Sequence, residues 1–514
     1  MSAELTAVSP SKQADVESAE AKYIPSTRFM LLSSSNCLCR IGHDELEFDA
    51  QAENKLRLKI DWMILPTVFF LYLFCFIDRA NIGNARIAGL ERDLNMQGFD
   101  YNATLSIFYI SYIIFEIPSN ILCKIVGPGW FIPILTILFG ACSIATSFVQ
   151  TTPQLMGVRF LLGLFEAGMP PGTAYYLSRW YRRSELTFRL SVYIVSAPVA
   201  GAFGGLLASA ILRLDSVGSL REWRMIFVIE GIVTVAIGII GLFTLADRPE
   251  SARWLTAEQK ELAEKRVLSE RVGQTQVLDK LDKRKFVGGM WNPVVIPTAV
   301  IFLFANITVH GLAVFTPTII RSIYPDETPD MQQLYTVPPY IVGSFFTILI
   351  PYISWKMDQR QILMILSAPL GIIGYIMFIS TTSLQVRYGA TFLIASSIFS
   401  LGALTGGQVS ANVVSDTARS AGFALNVMLG NIGGLISTWS FLPFDAPNYY
   451  IGNGLNLGTT FGILSISTFM YFWMKRNNIK RSRREEEELN KLDGMSQEQM
   501  EDLEWRHPSF RWKI

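Results

Sequence analysis

The chain has 514 residues, half of them apolar and only 17% charged, with a formal net charge of +1. Soluble chains carry about a quarter charged residues, and one of this length divides into several domains with polar surfaces. The composition therefore excludes a soluble multidomain enzyme, and the neutral balance gives no sign of a nucleic-acid partner.

In chain order, residues 1–59 read as a polar, mostly disordered tail. The first 28 hold no apolar core, so no cleavable signal peptide is expected. The stretch "FMLLSSSNCLCRIG" (29–42) is too short and mixed to span a bilayer. Twelve apolar runs of about 20 residues follow, the length that crosses a bilayer core. They cover 62–82, 103–123, 130–149, 155–177, 188–212, 225–246, 293–314, 336–355, 361–381, 387–407, 419–441 and 456–474. Residues 60–246 thus make one six-span half and 291–475 another. The charged stretch 247–290 joins them and contains "TAEQKELAEKRVLSERV", a soluble helix opened by the N-cap Thr256. Residues 476–514 form a C-terminal tail. The predicted class is an all-α membrane protein of twelve transmembrane helices in two six-helix halves.

Lysine placement orients the spans. All fifteen lysines fall before span 1, between spans 2 and 3, in the linker, between spans 8 and 9, or after span 12. By the positive-inside rule both termini are then cytoplasmic. Arginine is looser, with Arg86, Arg92, Arg213, Arg221, Arg321 and Arg387 near outer loops. The inner loop "SRWYRRSELTFR" nevertheless carries four arginines. Cysteine spacing suggests neither a disulfide framework nor a metal site, and no cofactor is expected. The sequon "NAT" makes Asn102 a glycosylation candidate on the outer side, abutting span 2.

The fourth run holds two charges, Arg159 and Glu166. They are seven residues apart, two helical turns or about 10 Å, and share one face. A charge at mid-bilayer costs roughly 2.5–3.5 kcal/mol on insertion scales, so it is read first as a cavity-facing functional group. The competing reading is a buried ion pair that only fixes helix packing. Asp78 and Arg79 close span 1 in "IDRAN"; an interfacial pair with the arginine snorkelling to water is the plain alternative. Tyr109, Tyr112 and Glu116 share a face of span 2, and Tyr112 and Glu116 read equally as site or scaffold. Glu230 in span 6 and His310 in span 7 are isolated polar groups, with Asn306 the expected partner of His310 one turn earlier. The second half is richer in amides: Gln408 and Asn412 at the end of span 10, Asn426 and Asn431 in span 11. Amides bind a carboxylate or ureide without titrating. Asn412 could equally tie helix ends together. The small-residue runs "AGAFGGLLASA" (200–210) and "GNIGG" (430–434) permit close helix approach.

Six spans, a linker and six more match the major facilitator superfamily, whose halves enclose a midplane site. "FCFIDRANIGNARIAGL" (74–90), "FEIPSN" (115–120), "RFLLGLFEAGMPPG" (159–172), "EWRMIFVIEG" (222–231), "LYTVPPY" (334–340) and "RHPSFRW" (506–512) resemble one branch of it. That branch is the fungal anion:cation symporter family, also called the allantoate permease family. The likeness runs from about Ile60 to the C-terminus. It implies a carrier of nicotinate, allantoate, pantothenate, biotin or a similar small carboxylate or ureide. It further implies that Arg159 recognises the anion and that Asp78 and Glu166 couple protons. Tyr112, Arg79, Gln408 and Asn412 complete the candidate substrate contacts, with Glu116 and His310 as secondary candidates. The stretch "SANVVSDTARS" (410–420) departs from the family by lacking one Asn, a Gly and a Lys.

The expected protein is a proton-coupled carrier of a small organic anion, rocking two halves around a central site. It would act as a monomer in the plasma membrane, with protons as the second substrate. Export of a metabolite carboxylate is the alternative direction, raised by Pro198 in "SAPVAGAFGG" (196–205), which faintly resembles the Gly-Pro motif of proton-drug antiporters. A nutrient sensor without net transport is the alternative class. Loss of Asp78, Arg159 and Glu166 would favour a sensor, and all three are present. With no HExxH, no GxSxG and three histidines in all, an enzyme is not expected.

Overall fold

The computed structural model describes residues 50–181, 189, 192–214, 223–269, 283–490, 492 and 503–514. The stretch 29–42 and most of the arginine-rich loop before span 5 lie outside the described residues. The chain divides into two units, Met1–Phe48 and Asp49–Ile514, and the described residues all belong to the second.

The N-terminal half comprises α1 (Ala50–Ile87), α2 (Asp100–Val126), α3 (Pro128–Thr146), α4 (Thr152–Glu166), α5 (Met169–Trp180), α6 (Val192–Leu212) and α7 (Trp223–Thr244). The C-terminal half comprises α8 (Val295–Ile323), α9 (Pro329–Met357), α10 (Gln361–Ser380), α11 (Leu384–Ala411), α12 (Asp416–Ser437) and α13 (Tyr450–Asn490). Each expected span corresponds to a helix or, for the fourth, a pair. Ten helices among the described residues are long and apolar enough to cross a membrane. The fourth span falls short because it breaks at Ala167–Gly168, where Pro170 and Pro171 can start a helix but not continue one. The eleventh corresponds to α12, whose apolar part is Ala421–Ser437.

Several elements run past the expected boundaries, α1 and α13 the furthest. Helix α1 begins at Ala50, ahead of the expected start at residue 60, because its polar first turns gain partners on the linker. Glu53 pairs with Arg266 at 3.0 Å, and Lys59 donates to Gln259 at 2.8 Å. The linker helix Ala257–Ser269 opens as expected: the Gln259 amide donates to the Thr256 hydroxyl, and Gln259 caps the Thr256 amide in return. Helix α13 continues to Asn490, well beyond its apolar part.

The end of the bundle that bears Glu53 is termed the near face, and the end where α1 finishes the far face. The halves meet towards the far face. Gly83 of α1 lies so close to α8 that a Cβ there would sit 2.1 Å from the Val314 carbonyl oxygen. Trp439 beyond α12 donates to the Ser106 hydroxyl of α2 at 2.9 Å. Gln333 of α9 donates to the Asn84 carbonyl at 3.3 Å.

Candidate functional site

Helix periodicity carries Asp78 and Arg79 on α1, Tyr112 on α2, and Arg159 and Glu166 on α4 into one cluster inside the N-terminal half. Asp78, Arg159 and Glu166 are each no more than 2% exposed. Water cannot solvate these charges, so their partners decide what they do.

Glu166 does not pair with its helix neighbour Arg159. Its Oε2 accepts from Arg79 Nη2 at 2.8 Å and Nε at 3.2 Å. Arg79 is thus buried, and the snorkelling alternative fails for it: the guanidinium lies 5.2–5.3 Å from the Phe76, Phe108 and Tyr112 ring centres. An arginine over aromatic faces, with a carboxylate at its edge, is held in place by cation–π attraction as well as by charge. Tyr112 therefore contributes its ring to Arg79.

Arg159 is the unusual member. Its Nε and Nη2 are buried without a hydrogen-bond partner among the described residues. The guanidinium lies 5.7 Å from the Phe227 ring centre, with Asp78, Glu166, Tyr101 and Tyr109 within electrostatic reach. Asp78 is held from two other helices. The Ser143 hydroxyl donates to its Oδ1 at 2.8 Å and the Thr234 hydroxyl to its Oδ2 at 3.3 Å. Neither hydroxyl was legible as a partner in the sequence, since serines and threonines are scattered through the spans.

Glu116 and His310 sit where the halves meet, outside this cluster. Asn431 of α12 donates to Glu116 Oε2 at 3.0 Å. His310 of α8 stacks edge-on to Tyr109 of α2, ring centres 5.3 Å apart. The expected Asn306 partner is otherwise engaged, its amide donating to the Phe302 carbonyl. His310 Nδ1 and the Tyr109 hydroxyl have no hydrogen-bond partner among the described residues.

Gln408 and Asn412 do not join the cluster. Both donate to the Lys513 carbonyl at 2.9 Å, and the Lys513 amide returns a bond to Asn412 Oδ1 at 2.8 Å. They hold the C-terminal tail on the near face, and for Asn412 this is the tying role raised as its alternative. Trp512 beside them is 3% exposed, packed with Val294, Met470 and Met474. Asn477 and Asn478 of α13 bond the Trp512 ring nitrogen and backbone at 2.9 Å. Asn102 is likewise corrected as a glycosylation candidate. It is fully buried, and Nδ2, the atom a glycan would occupy, donates to the Thr438 carbonyl at 2.5 Å.

Comparisons with known proteins agree with this architecture. The family model for the Major Facilitator Superfamily matches residues 68–438. The transporter C1039.04 of Schizosaccharomyces pombe is 32% identical over 437 residues, 84% of this chain and 85% of that protein. The MFS-type transporter cnsO of Penicillium expansum is 30% identical over 463 residues, 86% and 87% of the two chains. In fold, the chain is similar to a bacterial homolog of the human lysosomal transporter Spinster in an inward-facing, unoccupied conformation. That match has a TM-score of 0.61 at 15% identity, covering 84% of this chain and 99% of the other. The family model covers most of the chain and the relatives match over most of both lengths: the chain belongs to the Major Facilitator Superfamily and is a membrane transporter.

Proposed function

We propose that the chain is a proton-coupled symporter of a small organic anion, of the allantoate permease type, in the plasma membrane with both termini cytoplasmic. The observation that carries this reading is the unpaired guanidinium of Arg159. A buried cation without a hydrogen-bonded counter-ion is costly, and a carboxylate arriving between the halves would supply two charge-assisted bonds. Arg79 is unavailable for that role while Glu166 holds it. Protonation of Glu166 would weaken the ion pair and release Arg79 toward the same anion. That exchange gives a chemical route from proton binding to substrate binding. The carrier would work as a monomer, with protons and one carboxylate or ureide as its substrates. In this reading the near face is cytoplasmic, and the far-face contacts close the outer side.

Two carboxylates, Asp78 and Glu166, accompany one free arginine. Two protons per monoanion would then carry one positive charge inward, and the membrane potential would contribute about 2.3 kcal/mol per 100 mV. The test is an uptake screen of nicotinate, allantoate, pantothenate and biotin in a transport-deficient host, with recording of substrate-evoked current. Uptake that rises at acidic outside pH with inward current supports the reading. Uptake without current at any holding potential removes the two-proton scheme. Substrate exit driven by proton entry would favour the exporter.

A further inference from the structure

Within the described spans, four carboxylates are buried: Asp78, Glu116, Glu166 and Glu230. The first three have hydrogen-bond partners. Glu230 on α7 is 0% exposed, and neither of its carboxylate oxygens has one among the described residues. An ionised carboxylate left so would be very costly, whereas a neutral acid can rest there. A leucine or glutamine could fill the same volume, so packing alone gives no reason for an acid.

Its neighbours on α7 place it beside the cluster. Phe227, three residues earlier, lies against the Arg159 guanidinium. Thr234, four residues later, donates to the Glu230 carbonyl at 2.9 Å and has its hydroxyl 3.3 Å from Asp78 Oδ2. Residues three and four apart share a helix face, so Glu230 sits on the face that meets Arg159 and Asp78. Asp78 of α1 is the charged group within its electrostatic reach. Helix α3 contributes Cys142, which lies near Asp78 and Glu166. Arg159 and Glu166 of α4 act on Asp78 rather than directly on Glu230.

Depth places the two acids at one level. Helix α7 starts at the far face, where Trp223 donates to Asp93 at 3.0 Å. Glu230 lies about 10 Å along the axis from that end, and Thr234 about 6 Å deeper. The Asp78 carboxylate lies alongside the same stretch: the Ser143 hydroxyl that donates to its Oδ1 also lies 3.5 Å from the Phe227 carbonyl, and the Thr234 hydroxyl lies 3.3 Å from its Oδ2.

We infer that Glu230 is a proton-binding residue of the transport cycle that exchanges its proton with the neighbouring Asp78. The neutral acid gives its proton toward the Asp78 carboxylate, becomes the carboxylate itself, and is reprotonated from water as the cycle opens the site. No other bond changes. The inference rests on the proton-coupled reading above and adds a third titrating group to it.

The test uses the full-length chain in liposomes, with the proton itself as the probe. Infrared difference spectra are recorded as the pH is stepped from acid to alkaline. The expected result is a protonated-carboxyl band, at the frequency of an acid without a hydrogen-bond partner, that disappears as the pH rises. It should persist in Asp78→Asn and be absent from Glu230→Gln. Spectra of the wild type and Glu230→Gln that coincide overturn the inference. Where the glutamine variant does not fold, Glu230→Asp decides: the band should shift, and an unshifted band overturns the inference. Proton coupling itself is judged on wild-type uptake alone, so its failure is read separately. A titrating Glu230 in a chain that moves anions without protons would count against both.

Discussion

Arg79 and Glu166, 87 residues apart in sequence, form a buried ion pair at 2.8 Å, and by doing so leave Arg159 without a carboxylate of its own. The two arginines are therefore not equivalent. One is engaged by a carboxylate inside the protein, and the other has two nitrogens without a hydrogen-bond partner among the described residues.

That asymmetry predicts the effect of Arg159→Lys. Lysine keeps the charge but cannot offer the planar two-pronged donor that matches a carboxylate. Loss of one bond to a charged group costs about 1.5–3 kcal/mol, roughly ten- to hundredfold in transport. Protein reaching the membrane should be unchanged. Uptake near the wild-type rate, measured against surface expression, would remove Arg159 from the site.

Glu166→Gln should separate exchange from coupling. The amide keeps the size and can still accept from Arg79, yet it cannot cycle a proton. Counterflow of labelled substrate across equal pH should survive within a few-fold. Accumulation driven by a pH gradient should be lost. Joint loss of both would make Glu166 a structural or direct substrate residue.

Gly83→Ala tests the far-face contact. A methyl at 2.1 Å from the Val314 carbonyl cannot be absorbed by a side-chain shift, because the obstacle is backbone. The variant should populate forms in which the halves part on that side. Thiol labelling of Ser106→Cys, buried in the present contact, should speed up in the Gly83→Ala background. An unchanged labelling rate would mean that the α1–α8 approach does not gate the site.

The tail gives a fourth expectation. Trp512→Ala removes a buried indole and should cost roughly 3–5 kcal/mol, seen as a lower unfolding temperature of the purified protein. Gln408→Ala should cost about 1 kcal/mol for the lost bond to the tail. Neither should alter the substrate concentration for half-maximal uptake. A changed half-saturation in Gln408→Ala, with stability intact, would return Gln408 to the binding site.

The spans were readable in the sequence because each is a long apolar run, and lipid selects for that property everywhere along the helix. The start of α1 was not, because Glu53 and Lys59 are polar and become helical through partners about 200 residues away. The shared face of Arg159 and Glu166 followed from helical spacing. Their failure to pair did not, since Arg79 approaches from another helix. The bonds of Gln408 and Asn412 to the tail were not legible for a simpler reason. An amide that holds a tail carbonyl and one that holds a substrate look the same as letters.

The docked tail has a practical consequence for measuring the motion. Its bonds run to Gln408, Asn412, Asn477, Asn478 and Asp358, all in the C-terminal half. The linker helix is fastened to α1 through Glu53 and Lys59, in the N-terminal half. Each half therefore carries its own rigid outrigger on the same side of the bundle. A spin label or fluorophore on each would turn the rocking of the halves into a single changing distance, read without placing a probe near the substrate.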